Sequence, residues 1–240
     1  MFDVYYWPTP NGKKITVQLE EMGASYNIVK TAIALGDQFD AGFLKMNPNA
    51  RMPLLVDHAP ADGGAPLSVF ESGAIMIYLA DKTGQFMPTD PRGRSDVIQW
   101  VVWQMANQGP KMGERNHYYN YANTELDQSY AKARYDDEVH RIFGVMNHAL
   151  LDRAYLASQD YSIADMACYP WAINWQAQGI DLQEFEHVKR WLEALQARPA
   201  VQKGMAVGAE YTLNPSDFSD SERARIMKLI FNQRARPIGG

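Results

Sequence analysis

With one cysteine in 240 residues, Cys168, the chain can form neither an internal disulfide nor a Cys-x-x-Cys redox pair, and it suits a reducing compartment. Any redox chemistry must therefore borrow its sulfur from a ligand. No Lys/Arg-rich run interleaves with aromatics and the formal net charge is −5, so a phosphate-tracking surface is not supported and nucleic acid is not an expected partner. Nowhere do about 18 consecutive apolar residues occur, and Met1 leads into a strand without a basic segment and apolar stretch. The expectation is a cytoplasmic protein with no membrane partner. None of the five histidines (His58, His117, His140, His148, His187) has another three or four residues further on. No acidic cluster has ligand spacing either, so no metal site is expected. A Walker loop and a Gly-x-Gly-x-x-Gly fingerprint are missing, as are internal repeats and low-complexity tracts, which makes nucleotide cofactors improbable.

What the chain does have is 46% hydrophobic and 21% charged residues, an ordinary globular balance for one large or two modest domains. Residues 2–7 form an apolar run, and Ile15, Leu19 and Met22 then stand at i, i+4, i+7, so a strand leads into a helix over 12–23. Ser25–Lys30 supplies a second strand. A polar loop leads to Asn47-Pro48-Asn49-Ala50-Arg51-Met52-Pro53. Leu54–Asp57 and Pro66–Phe70 read as strands around Gly63-Gly64, and Glu71–Lys82 as a helix with Ile75, Tyr78 and Leu79 on one side. This βαβ, loop, ββα order predicts a small α/β domain over 1–83. A Pro-containing linker follows over 84–94, an all-helical domain over 95–207 and a tail over 208–240.

Within the helical part, Tyr135, Val139, Ile142, Phe143, Met146 and Leu150 mark a helix over 128–151, and Phe185, Val188, Trp191, Leu192 and Leu195 mark one over 184–197. Between them Ser162 and Asp165 form a capping box, with Tyr161 and Met166 as its staple, so Asp165 is read as structural. In the tail, Ile226, Leu229 and Ile230 form a short amphipathic stripe beside Arg223, Arg225 and Lys228. Packing on its own or a neighbouring subunit is favoured over a membrane surface, because one short stripe buries little area.

Three loops carry the chemistry. Pro8-Thr9-Pro10-Asn11-Gly12 aims polar groups at a helix N-terminus, where unpaired N–H groups favour an anion such as a thiolate. Met52-Pro53 precedes a strand, where a cis proline would turn the Met52 main chain outward to pair with an extended peptide-like ligand. Glu71-Ser72 opens a helix, so Ser72 can hold a carboxylate and Glu71 an ammonium, although an acid there also simply steadies the helix dipole. A ligand meeting all three needs a thiol, a peptide unit and an α-amino acid terminus, which describes glutathione.

These loops, with Phe70-Glu71-Ser72-Gly73-Ala74-Ile75, resemble the glutathione transferase superfamily. The Thr-Pro-Asn-Gly turn and Asp57-His58…Asp62-Gly63-Gly64 resemble its bacterial nu class, the disulfide-bond oxidoreductases. The resemblance spans residues 2–205. It implies an α/β thioredoxin-like N-terminal domain, an all-α helical C-terminal domain and a homodimer that uses glutathione, reduced or as its disulfide. Residue by residue, it implies that Thr9 and Asn11 face the glutathione sulfur and that Gln38 lies near the glycyl end. Arg51, Met52 and Pro53 belong to the peptide-pairing loop, Glu71 and Ser72 hold the γ-glutamyl group, and Arg134 is offered to the partner subunit's ligand. Each has a plainer alternative: Thr9 and Asn11 as turn and cap, Gln38 as a solvated side chain, Arg134 as an i+4 partner of Glu138.

The stretch over 109–119, where relatives build the second-substrate pocket, is unusually charged through Lys111, Glu114 and Arg115. Tyr118, Tyr119, Tyr121 and Trp171 read either as an aromatic wall or as core. The functional expectation is reduction of small-molecule disulfides or hydroperoxides with glutathione as the only sulfur nucleophile. The alternatives are a conjugating or aryl-ether-cleaving transferase acting on an electrophile, and a non-enzymatic glutathione-binding regulator. Cys168 is expected to be buried and inert.

Overall fold

The computed structural model describes residues 1–122, 126–211 and 219–230; the expected tail at 212–218 and 231–240 lies outside them. In chain order the strands and helices are β1 (Phe2–Tyr6), α1 (Pro10–Glu21), β2 (Tyr26–Lys30), α2 (Ala41–Met46), β3 (Leu54–Asp57), β4 (Leu67–Phe70) and α3 (Ser72–Thr83). They continue as α4 (Pro91–Trp103), α5 (Gly109–Asn120), α6 (Ser129–Ala149), α7 (Ile163–Ala172), α8 (Glu186–Gln196), α9 (Pro199–Ala206) and α10 (Asp220–Ile230). The chain divides into two compact units: Met1–Pro8 with Tyr26–Glu71 and Gly208–Gly240, and Thr9–Ser25 with Ser72–Val207.

The first unit holds a four-stranded sheet in the order β2-β1-β3-β4. β1 runs parallel to β2, with Val4 opposite Ile28, and β3 runs antiparallel to both β1 and β4, with Leu55 opposite Val4 and Val69. Phe2, Val4 and Tyr6 are buried while Asp3 and Tyr5 between them are only partly covered, the alternation of a strand with one wetter face. All four residues of β3 are buried. Together with α1 and α3 in the chain order, this is the thioredoxin-like arrangement expected for the N-terminal part.

The polar loop expected before Asn47 is not all loop. Asp40 Oδ1 accepts from Gly42 N at 2.7 Å and Phe43 N at 3.2 Å, capping α2, and Phe43 is buried with its ring edge-on to Tyr5. Six residues are too few for helical periodicity to show in a sequence; the capping aspartate was the available signal. The described residues of the tail pack on their own unit. Tyr211 stacks on Trp7 at 6.0 Å and lies under the Lys30 ammonium. Leu229 of α10 comes within 3.6 Å of where a side chain on Gly36 would start.

In the second unit α1 crosses α9 at backbone contact. A Cβ on Gly204 would stand 2.5 Å from Val17 Cα, and Thr16 Oγ1 donates to Gly204 O at 2.8 Å. Only glycine fits there. Arg198, ahead of α9, forks onto the Glu21 carboxylate at 2.7 and 2.8 Å and covers the Tyr161 ring.

The linker expected over 84–94 is shorter than read, because α4 starts at Pro91: Asp90 caps it by accepting from Gly93 N at 2.9 Å, and proline suits the first helical turn. After α4 the helix widens into a π segment over Gln104–Gln108. Pro110 has no N–H to give to the preceding turn, a defect that a wider register accommodates.

The capping box at α7 is complete. Ser162 Oγ accepts from Ala164 N at 3.3 Å, and Asp165 Oδ2 accepts from Ser162 N at 3.1 Å. Asp165 Oδ1 also receives Leu156 N and Trp191 Nε1, each at 2.9 Å. Burial pushes the Asp165 carboxyl up to about 6, against the pull of these hydrogen bonds. Among the described residues no helix is long and apolar enough to cross a membrane.

Candidate functional site

In the second unit the chain after β1 turns into α1 through Thr9, whose Oγ1 accepts from Gly12 N at 3.3 Å. Thr9 is thus the N-cap, and acceptance uses a lone pair while the hydroxyl hydrogen remains to be donated. The first turn of α1 contains no acid, so the sequence does not neutralise the positive end of the helix dipole.

Asn11, half-buried in that turn, receives the Trp171 indole N–H on Oδ1 at 2.9 Å. Indole N–H can only donate, so Oδ1 is fixed as the acceptor and the Nδ2 hydrogens are left for another acceptor. Trp171 lies against Gly109 and Gly113 of α5, where a Cβ would stand 3.7 Å and 3.6 Å from its ring, ordinary packing distance. Trp171 is therefore neither simple core nor wall. It orients Asn11, a role missed in the sequence because the two residues are 160 positions apart.

Ser72 opens α3 and is buried. Its hydroxyl lies 3.2 Å from Lys14 Nζ and 3.3 Å from Met105 Sδ. Lys14 is 1% exposed and also donates to Gln104 Oε1 at 2.5 Å. Of the adjacent Lys13 and Lys14, the 100° step of the helix buries the second fully and the first only in part.

In the first unit the Asn47–Pro53 loop holds itself together. Asn47 is buried; its Nδ2 donates to Arg51 O at 2.6 Å and its Oδ1 accepts from Asn49 N at 3.1 Å. Asn49 Nδ2 then donates to Glu71 Oε1 at 2.9 Å. Glu71 sits at φ 69°, left-handed for a residue with a Cβ, at a cost of roughly 1–2 kcal/mol. An exposed acid held in such a conformation, with its carboxylate tied by an asparagine, is placed for a contact rather than for packing.

Met52-Pro53 is cis, and Met52 stands two residues before the first ladder residue of β3. Arg51 is exposed, with Nη1 at 3.4 Å from Ile230 O of α10. Gln38 is not solvated: it is 2% exposed, its Nε2 donates to Ile33 O at 3.1 Å, and Oε1 is buried with no hydrogen-bond partner among the described residues. The amide holds the 33–38 turn. Arg134, by contrast, takes its plainer partner, Glu138 Oε1 at 3.1 Å, on the exposed face of α6.

One charge on α5, Arg115, has a structural partner. Arg115 is buried, donates to Asp136 Oδ1 at 2.6 Å and Ala177 O at 3.0 Å, and lies over the Tyr119 ring. Tyr119 Oη donates to the other Asp136 oxygen, and Tyr118 stacks on Tyr135. Arg115 thus staples helices, with Tyr119 bound into the same cluster. Cys168 is fully buried, and burial pushes its thiol well above the usual range, Lys14 offsetting this only in part.

Comparison with known proteins adds the family. Residues 2–81 match the glutathione S-transferase N-terminal domain and residues 112–199 its C-terminal domain. A disulfide-bond oxidoreductase of Escherichia coli, YfcG, is 45% identical over 205 residues, which are 85% of this chain and 94% of that protein. A solved glutathione transferase of Burkholderia graminis, with two glutathione molecules bound per subunit, superimposes with a TM-score of 0.81 at 40% identity, covering 86% of this chain and 88% of that one. One from Pseudomonas putida, with one glutathione disulfide per subunit, gives 0.80 at 35% identity, covering 86% and 91%. An α1 terminus with no acid in its first turn, an acid at positive φ before α3 and matches at this identity and coverage lead to one assignment: the chain belongs to the glutathione S-transferase family.

Proposed function

We propose that this protein is a glutathione-dependent disulfide-bond oxidoreductase of the nu-class kind, acting as a cytoplasmic homodimer on small-molecule disulfides and, secondarily, on hydroperoxides. The observation that carries this reading is the Trp171–Asn11 hydrogen bond at 2.9 Å, which commits the amide oxygen inward and leaves only N–H for the ligand. A side chain so oriented suits an anionic sulfur.

Glutathione brings the sulfur: its thiolate attacks a mixed disulfide, glutathione disulfide forms, and the displaced thiolate takes up a proton. The protein's residues prepare that exchange. Neither Thr9 nor Asn11 is a base near neutral pH, so each stabilises the thiolate by donating a hydrogen bond, Thr9 through O–H and Asn11 through Nδ2–H. The N-terminal N–H groups of α1 add their partial positive charge. Every pK unit by which these groups lower the thiol is worth about 1.4 kcal/mol.

Glu71 pairs with the γ-glutamyl ammonium and Ser72 donates to its carboxylate, while the Met52 main chain pairs with the ligand's peptide unit behind Pro53. Arg51 and Gln38 shape that loop side, Gln38 by holding its turn rather than by touching the carboxylate, since its buried atom is an acceptor. Arg134 keeps Glu138 as its home partner and reaches the ligand of the partner subunit only by leaving it. Steady-state turnover of a glutathione mixed disulfide by wild type and Cys168→Ala tests the reading. Comparable turnover by both supports it. Tight glutathione binding without turnover points to a regulator, and activity lost in a folded Cys168→Ala makes the protein thiol the nucleophile.

A further inference from the structure

Lys14 is a lysine where helix packing asks for a methionine or leucine. It lies on the buried side of α1 beside Ile15, at 1% exposure, and burying an ammonium is costly unless its hydrogen bonds are used. Three of its hydrogen bonds run to neutral atoms: Ser72 Oγ at 3.2 Å, Gln104 Oε1 at 2.5 Å and the Met105 sulfur at 3.7 Å. Gln104 belongs to the π segment, a local widening that recurs at functional positions.

Counting hydrogens shows what Lys14 does to Ser72. An ammonium only donates, so Ser72 Oγ must accept from it, and the one hydrogen on that hydroxyl must be given elsewhere. It has Met105 Sδ at 3.3 Å, and a thioether is a weak acceptor. A carboxylate outcompetes it. Without Lys14, Ser72 could turn its hydrogen inward to Gln104 or another acceptor and present a lone pair to the ligand, the wrong polarity for an anion.

We propose that Lys14 is the positioning residue for carboxylate recognition: it holds Ser72 as an outward donor, and thereby sets affinity for the γ-glutamyl carboxylate of glutathione without touching it. The inference rests on the proposed role of Ser72 and adds a charge beneath it that the resemblance did not supply. Because the effect is exerted on a contact equal in ground and transition states, it belongs in binding rather than in turnover.

The test is calorimetry on the full chain with reduced glutathione and with cysteinylglycine, which keeps the thiol and the glycyl carboxylate but lacks the γ-glutamyl group. Lys14→Met, Ser72→Ala and the double variant are compared with wild type. Lys14→Met is expected to weaken glutathione by about 10-fold or more and to leave cysteinylglycine within about 2-fold. In the Ser72→Ala background the same change should add less than about 2-fold. At saturating glutathione, kcat should stay within about 3-fold while KM rises. If Lys14→Met does not fold, as judged by circular dichroism, Lys14→Gln takes its place in every arm.

Equal losses for both ligands, or additive losses in the double variant, would overturn the positioning role while leaving the glutathione site standing. Undiminished glutathione affinity in Ser72→Ala would instead sink the assigned role of Ser72, and this inference with it.

Discussion

Two helices in the same unit begin in opposite ways. At α7 the chain finishes its own N-terminus: Ser162 caps it, Asp165 supplies the anion, and the carboxylate gathers main-chain N–H groups and an indole until it is fully buried. At α1, Thr9 caps the helix but no acid stands in the first turn, and Asn11 turns its oxygen away to Trp171. Both termini use the same two devices, a hydroxyl cap and a tryptophan N–H. At one the anion belongs to the protein; at the other, on the proposed reading, the position is left to glutathione. On that reading the start completed from within serves folding, and the one left incomplete serves binding.

The largest effect that separates the two is expected from Asp165→Ala. Removing the carboxylate orphans buried donors on Leu156, Ser162 and Trp191, which should cost about 3–5 kcal/mol in urea unfolding. Activity per folded molecule should persist. Asn11→Ala should do the reverse, lowering kcat roughly 10- to 100-fold, or about 1.5–3 kcal/mol, while the melting temperature hardly moves. If Asn11→Ala unfolds the protein or spares kcat, the two termini are not opposites.

pH sharpens the comparison further. Asp165 holds its proton up to about pH 6 when folded but releases it near 3.8 when unfolded. Its contribution to stability is therefore full below the lower value and lost as pH rises through the upper one. Between pH 5 and pH 7 the stability of wild type relative to Asp165→Asn should fall by about 1.3 kcal/mol, read by denaturant titration at each pH. Asn11→Asp offers no such stability step in this window, since that position is only half-buried. The smallest effect is expected from Trp171→Phe, which keeps the ring over Gly109 and Gly113 but removes the N–H. Freed to rotate, the Asn11 amide should lose part of its orientation and kcat should drop about 3- to 10-fold, or roughly 1 kcal/mol.

What could be read in the sequence followed the range of each interaction. The capping box at Ser162–Asp165 and the cap at Thr9 are local, joining residues three positions apart, and both stood in the sequence. The helix over Ser129–Ala149 is periodic and the strand Leu54–Asp57 is a short apolar run after a proline, and both were equally visible. Trp171 on Asn11 and Lys14 on Ser72 were not, because they join residues 160 and 58 positions apart and nothing in either neighbourhood marks the partner. For Gln38, read as near the glycyl end with a solvated side chain as the alternative, burial was not legible, because tertiary packing produces it. Arg115 stood out only as an unexpected charge, because its partner Asp136 lies on the next helix.

The buried state of Cys168 has a further consequence. Its thiol is fully covered, and Gln108 Nε2 holds the carbonyl of the same residue at 3.2 Å. A protein whose only thiol is out of reach has no oxidised form of its own to accumulate, so it keeps no memory of the last disulfide it met. On the proposed reading, the direction of exchange follows the ratio of reduced to oxidised glutathione in the surroundings at that moment, and an oxidative burst would shift the reaction without disabling the molecule.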